Sequence, residues 1–171
     1  MANTYTLIES QVLGSTTASV TFSAIPATYT DLVLKCSARS TGTSYTMRLK
    51  INGTAGSYSA TLLQGSGSAA SSAQGTEQAA SYQYGGVNLS TYTANTYASC
   101  EIYIPSYLVS QNKPFSSFAV NETNATAVDM FAHASLWSNT AAITTLELAL
   151  TGGNSYTATS SFNLYGISNT I

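Results

Sequence analysis

From about residue 4 to residue 167, apolar and polar residues alternate in runs with a period of two, and clusters of Gly, Asn and Ser stand between the runs. Successive side chains of an extended chain point to opposite faces, so this pattern suits strands with one buried face. It does not suit amphipathic helices, which repeat every 3.6 residues. β-Branched and aromatic residues enrich the runs, as strands prefer. The pattern predicts strands near 4–13, 18–25, 31–39, 45–52, 58–64, 80–87, 96–104, 115–122, 128–137, 143–150 and 160–167, and no helix. Pro26, Pro105 and Pro114 fall at the ends of runs, where a missing N–H does least harm to a ladder. Residues 65–79, GSGSAASSAQGTEQA, hold almost no apolar mass and predict a long surface loop. No linker divides two apolar blocks and no internal repeat is visible. Residues 1–171 therefore read as one all-β domain, an antiparallel two-sheet β-sandwich with jelly-roll-like topology.

A chain of 171 residues can bury about 70% of its unfolded surface, so it needs no metal or disulfide to hold together. Only 7% of its residues are charged, against about 25% in an average protein, and Ser, Thr, Ala, Asn and Tyr take their place. The net charge of -2 gives no global attraction to nucleic acid or an anionic membrane, so neither is expected as a partner. The opening MANTYTLIES has neither the basic nor the apolar region of a secretory signal, and no run approaches a membrane span. Synthesis and folding in a cytoplasm are the expectation. Cys36 and Cys100 sit on the apolar side of LVLKCSA and YASCEIYI and read as structural free thiols. Sequons at Asn52, Asn88, Asn121 and Asn124 read as unmodified.

Four of the five basic residues, Lys35, Arg39, Arg48 and Lys50, fall within residues 31–52, DLVLKCSARSTGTSYTMRLKIN. Alternation places Leu32, Leu34, Cys36 and Ala38 inward and Asp31, Val33, Lys35, Ser37 and Arg39 outward. In the next run Tyr45, Met47, Leu49 and Ile51 point inward, and Thr46, Arg48, Lys50 and Asn52 outward. If the two runs pair as a hairpin through STGTS, Lys35 stands opposite Arg48 or Lys50, a like-charge pair that wants an acidic neighbour. Three readings follow: a solvated face with Asp31 and Glu101 as local counter-ions, a docking stripe for an acidic protein surface, or a small phosphate-binding footprint.

Catalytic groups are scarce. The single histidine, His133 in DMFAHASLW, shares a face with Phe131 and Trp137 and reads as a partly buried imidazole among aromatics, at a subunit contact, rather than as a base. Glu122 and Asp129 flank the turn TNATAV, but no Asp-rich loop accompanies them, so no metal or other cofactor is expected. CxxC, HExxH, GxSxG and phosphate-binding glycine motifs are missing, and the chain is not expected to be an enzyme. Twelve tyrosines are many for so uncharged a chain, and Tyr82, Tyr84, Tyr92, Tyr97, Tyr103 and Tyr107 crowd its middle third. Tyrosine suits protein interfaces and sugar-stacking surfaces alike.

The stretches YTLIESQVLGSTTASVTFSAIPATYTDLVLKCSARS, EIYIPSY, LWSNTAAITTLELALTGGN and FNLYGI together resemble the small all-β virion proteins of tailed phages from aquatic bacteria, cyanophages among them. The likeness covers most of the chain and is weakest over residues 53–95. It implies a capsid decoration, or cement, protein: a jelly-roll domain that docks as an oligomer, a trimer in related phages, on the outer capsid surface of the virion and stabilises the shell. The implied partners are the major capsid protein and further copies of the chain. The alternative is a head- or tail-fibre receptor-binding domain recognising host surface glycans. In the cement reading Lys35, Arg39, Arg48 and Lys50 become the candidate docking stripe. Tyr97, Tyr103, Tyr107, Phe131, His133 and Trp137 are the candidate oligomer contacts, because the runs 96–107 and 128–137 are expected to carry outward aromatics.

Overall fold

The structure, a computed structural model, describes residues 4–43, 46–75, 80–124 and 129–168. Among these the chain forms twelve strands: β1 (Tyr5–Val12), β2 (Ser19–Phe22), β3 (Asp31–Ala38), β4 (Thr46–Ile51), β5 (Tyr58–Gly65), β6 (Ala70–Gly75), β7 (Ser81–Tyr84), β8 (Ala98–Ile104), β9 (Lys113–Val120), β10 (Met130–Trp137), β11 (Leu146–Leu150) and β12 (Ser161–Ile167). A single 3₁₀ turn, Thr151–Gly153, follows β11. One sheet has eight strands in the order β1-β12-β3-β8-β9-β10-β5-β6, the other four in the order β2-β11-β4-β7. All ladders are antiparallel, and the chain passes repeatedly between the sheets, which makes the expected jelly-roll-like sandwich.

The core follows from the period of two. From the small sheet, Val20, Phe22, Met47, Leu49, Ile51, Leu146, Leu148 and Leu150 meet Leu32, Leu34, Ile102, Phe115, Phe131, Trp137, Phe162 and Leu164 of the large one. Each such side chain contributes about 1.5–3 kcal/mol by leaving water. Gly166 is required by packing: a Cβ there would lie 2.2 Å from the ring of Tyr29, which covers the strand at that point.

Four expectations are corrected. First, β3 and β4 do not pair: β3 lies between β12 and β8 in the large sheet, and β4 between β11 and β7 in the small one. Their inward residues oppose each other across the core, which satisfies the same alternation as a shared sheet would. Second, Val33 and Asp31 have outward parity but are buried, at 1% and 6% exposure, because Tyr103 covers that end of the face and donates its hydroxyl to Asp31 Oδ2 at 2.9 Å. Third, the expected loop at 65–79 contains β6, paired along its length with β5, while 76–79 lie outside the described residues, as does Tyr45. Fourth, the aromatics of β10 point inward rather than outward: Phe131, His133 and Trp137 are buried, and Met130, Ala132, Ala134 and Leu136 take the outer face.

Candidate functional site

The four clustered cations do not form one stripe. Lys35, on the outer face of the large sheet, is paired with Glu101 at 3.1 Å across the β3–β8 ladder, and that contact raises its pKa. Both side chains are about half exposed, so the bond is worth no more than about 1 kcal/mol. Arg39 follows β3 and is claimed by the loop after β7. Its Nη1 donates to the carbonyls of Thr93 and Thr96, both at 2.9 Å, and its Nη2 to those of Ser90 at 3.1 Å and Tyr92 at 2.8 Å. A guanidinium presents five N–H groups in a fixed fork, and here the fork organises a loop rather than meeting a partner. Arg48 and Lys50 stand on the opposite side of the molecule, half-buried on the outer face of the small sheet. Arg48 Nη2 reaches the Leu150 carbonyl at 3.2 Å, and Lys50 lies across from Glu147 in the β4–β11 register. The reading with Glu101 as counter-ion holds for Lys35, and the docking stripe reduces to Arg48 and Lys50.

Lys113, the fifth cation, carried no signal in the sequence. Its side chain is fully buried at the start of β9, and Nζ donates to the carbonyls of Val109 and Gln111, both at 2.6 Å, and of Thr140 at 3.4 Å. Desolvation lowers its pKa.

Of the six candidate oligomer contacts, four are core residues. Tyr107 is fully buried with its hydroxyl on the Pro26 carbonyl, Trp137 is fully buried, and Phe131 and His133 pack between the sheets. Tyr97 is half-buried, its hydroxyl on the Ala158 carbonyl at 3.2 Å. Tyr103 alone is exposed, at 37%.

His133 holds the centre of a buried polar chain. Its Nε2 accepts the Tyr84 amide at 3.2 Å, which leaves the ring proton on Nδ1, 3.0 Å from Ser117 Oγ. Ser117 donates onward to Gln83 Oε1, and Gln83 Nε2 donates to Ser81 Oγ at 2.9 Å. Burial depresses the imidazole to a pKa of about 4. Every ring atom able to take part in proton transfer is engaged with protein, so the expected aromatic setting is right and its placement at a subunit contact is not.

What the sequence reading missed is the outer face of the large sheet. Among the described residues, seven of the eight exposed large apolar side chains are Tyr5, Leu7, Val12, Leu63, Tyr103, Phe118 and Met130, and all project from it; Val109 is the exception. Adjacent registers run Leu63, Ala132, Phe118, Glu101 and Lys35 across five strands, with Met130 beside Val120 one step along. At the other edge Leu7 lies opposite Tyr165, whose ring meets Tyr5 edge-on with centroids 6.4 Å apart. Shallow depressions of 250 to 290 Å³ lie between these side chains, too open to enclose a small ligand. The signal was present in β10, where both parities carry apolar groups.

Cys36 and Cys100 are free, buried and directly opposite in the β3–β8 ladder. Desolvation pushes the Cys100 thiol up to about 12 and Cys36 well above its usual value. Asn88 and Asn121 are buried and bonded to one another at 3.0 Å, which closes those two sequons to modification in the folded chain. Glu122 caps its own turn through the amides of Thr123 and Asn124, and Asp129 accepts Gln64 Nε2 at 2.9 Å. Among the described residues no three His, Cys, Asp or Glu side chains gather as metal ligands, and no helix is long and apolar enough to cross a membrane. No family model, no curated protein and no solved structure matches this chain.

Proposed function

We propose that the chain is a phage capsid decoration protein that docks on the outside of the head as a homo-oligomer and stabilises the shell by bridging capsid subunits. The observation that carries this reading is the difference between the two outer faces of the sandwich. Among the described residues, the outer face of the large sheet exposes an apolar surface whose exposed charges, Lys35 and Glu101, cancel, while that of the small sheet presents Arg48 and Lys50, with Glu147 opposite Lys50. A clamp needs a preformed body with separate surfaces for its own copies and for its support, and the groups that elsewhere perform acid-base chemistry are here built into the core. The resemblance of its strand phrases to phage virion proteins points the same way.

The test is quantitative mass spectrometry of gradient-purified particles of a phage encoding the chain, comparing its moles with those of the major capsid protein. A ratio near one, or a simple fraction of one, supports cement. A handful of copies per particle sinks it and favours a fibre that binds glycans. Reversal of Arg48 and Lys50 to Glu is expected to weaken binding to undecorated heads by at least tenfold in low salt, an effect that fades as salt screens the contact.

A further inference from the structure

We infer that the outer face of the eight-stranded sheet is covered by another copy of the same chain, with Leu63, Phe118, Met130 and Tyr103 at the centre of the contact. The inference rests on the proposed function only for the expectation that the chain self-associates, and it assigns that association a surface.

Three observations select this occupant. The first is the concentration of exposed apolar groups: among the described residues seven of the eight large ones lie on one face, although isolated exposed residues would scatter over both sheets and the ends. Exposed apolar groups gathered on one face in this way mark a contact. The second is size. Eight strands about 4.8 Å apart and about 25 Å long offer a face of about 850 Å², close to the roughly 800 Å² per partner that a stable interface buries.

The third is charge. Among the described residues the exposed ionic groups of the face are Lys35 and Glu101, which neutralise each other, and the Asp31 carboxylate is held beneath Tyr103 by the Tyr103 hydroxyl and the Ser106 amide. A basic or acidic partner would find nothing complementary there. An identical face meets it without repulsion, apolar on apolar, with Ser116, Ser99 and Asn163 available for hydrogen bonds between the clusters.

The experiment is multi-angle light scattering of the full chain between 1 and 100 µM, without capsid. The expected wild-type mass is twice 17.8 kDa, because a face that meets its own copy closes as a two-fold pair. Phe118→Glu with Leu63→Glu should return the mass to that of one chain and raise the apparent dissociation constant more than 100-fold. Milder changes, Leu63→Ser with Met130→Ser, should weaken it less. Val109→Glu, off this face, should leave it intact. Circular dichroism and the fluorescence of buried Trp137 confirm that each variant is folded.

A monomeric wild type at 100 µM overturns the inference, as does an oligomer that survives both face variants. If the face variants keep their mass but lose binding to heads, the face belongs to the capsid: the inference fails and the proposed function stands. If they become monomeric and the virion ratio shows only a few copies, the inference stands and the proposed function fails.

Discussion

Lowering the pH from 7 to 5 should destabilise this protein through His133 alone. The side chain is 4% exposed, and no carboxylate of the described residues bonds to it. Tyr84 comes from β7 with its amide and its ring, Ser117 from β9, Leu62 from β5, and Phe131 from its own strand. Protonation would place a second N–H on Nε2, against the Tyr84 N–H, and a charge where no group compensates it. The folded pKa is accordingly depressed to about 4, against about 6.5 in an unfolded chain.

Between those values the unfolded state holds one more proton than the native state. Stability is therefore complete above about pH 6.5, falls by about 1.4 kcal/mol per unit as the pH drops, and levels off below the folded value. From pH 7 to 5 the loss comes to about 2 kcal/mol, a large part of a typical domain's stability. Urea titrations followed by Trp137 fluorescence measure it, and the window lies above the range in which ordinary carboxylates titrate. Because the chain has one histidine, the NMR titration of a single imidazole resonance reads the folded pKa directly. A midpoint near 6.5, or a His133→Gln variant that keeps the same slope between pH 7 and 5, would refute the reasoning.

Other residues give independent tests. Arg39→Ala should cost about 2 kcal/mol by orphaning the carbonyls its charge now satisfies, and should speed amide exchange over 90–96 at least tenfold, read by mass spectrometry. Lys113→Met keeps the buried stem but strands the Val109 and Gln111 carbonyls, so it should lower stability by about 2–3 kcal/mol in urea. Cys36 and Cys100 should resist a thiol reagent in the native protein at pH 8 and react together only on unfolding; rapid native labelling would contradict their burial. Gly166→Ala should destabilise by more than 1 kcal/mol, since the Tyr29 ring must move, and a neutral result in thermal unfolding would show that the ring is not held there.

How much was legible in advance differs from residue to residue. Alternation in LVLKCSA and TMRLKI gave the correct inward sets, because which side chain faces which side of a strand is a local property of the extended backbone. In MFAHASLW it did not decide, since both parities carry apolar groups; the larger aromatic set won the core and left Met130 and its neighbours outside. The stretch at 70–75 was unreadable for the opposite reason. An edge strand is held by its ladder to β5 and need bury nothing, so small polar residues suffice and mimic a loop.

From the sequence alone came the extended character of the chain, its all-β class, the inward faces of β3, β4 and β8, the inert cysteines and the histidine among aromatics. Only the tertiary structure decided that β3 and β4 lie in opposite sheets, that the four clustered cations are therefore divided between separate faces, and that one face collects the exposed apolar side chains. The physical reason is that alternation states which side of a strand meets the core. It does not state which strand lies beside it, because two inward faces satisfy each other equally well as neighbours in one sheet or as partners across the sandwich.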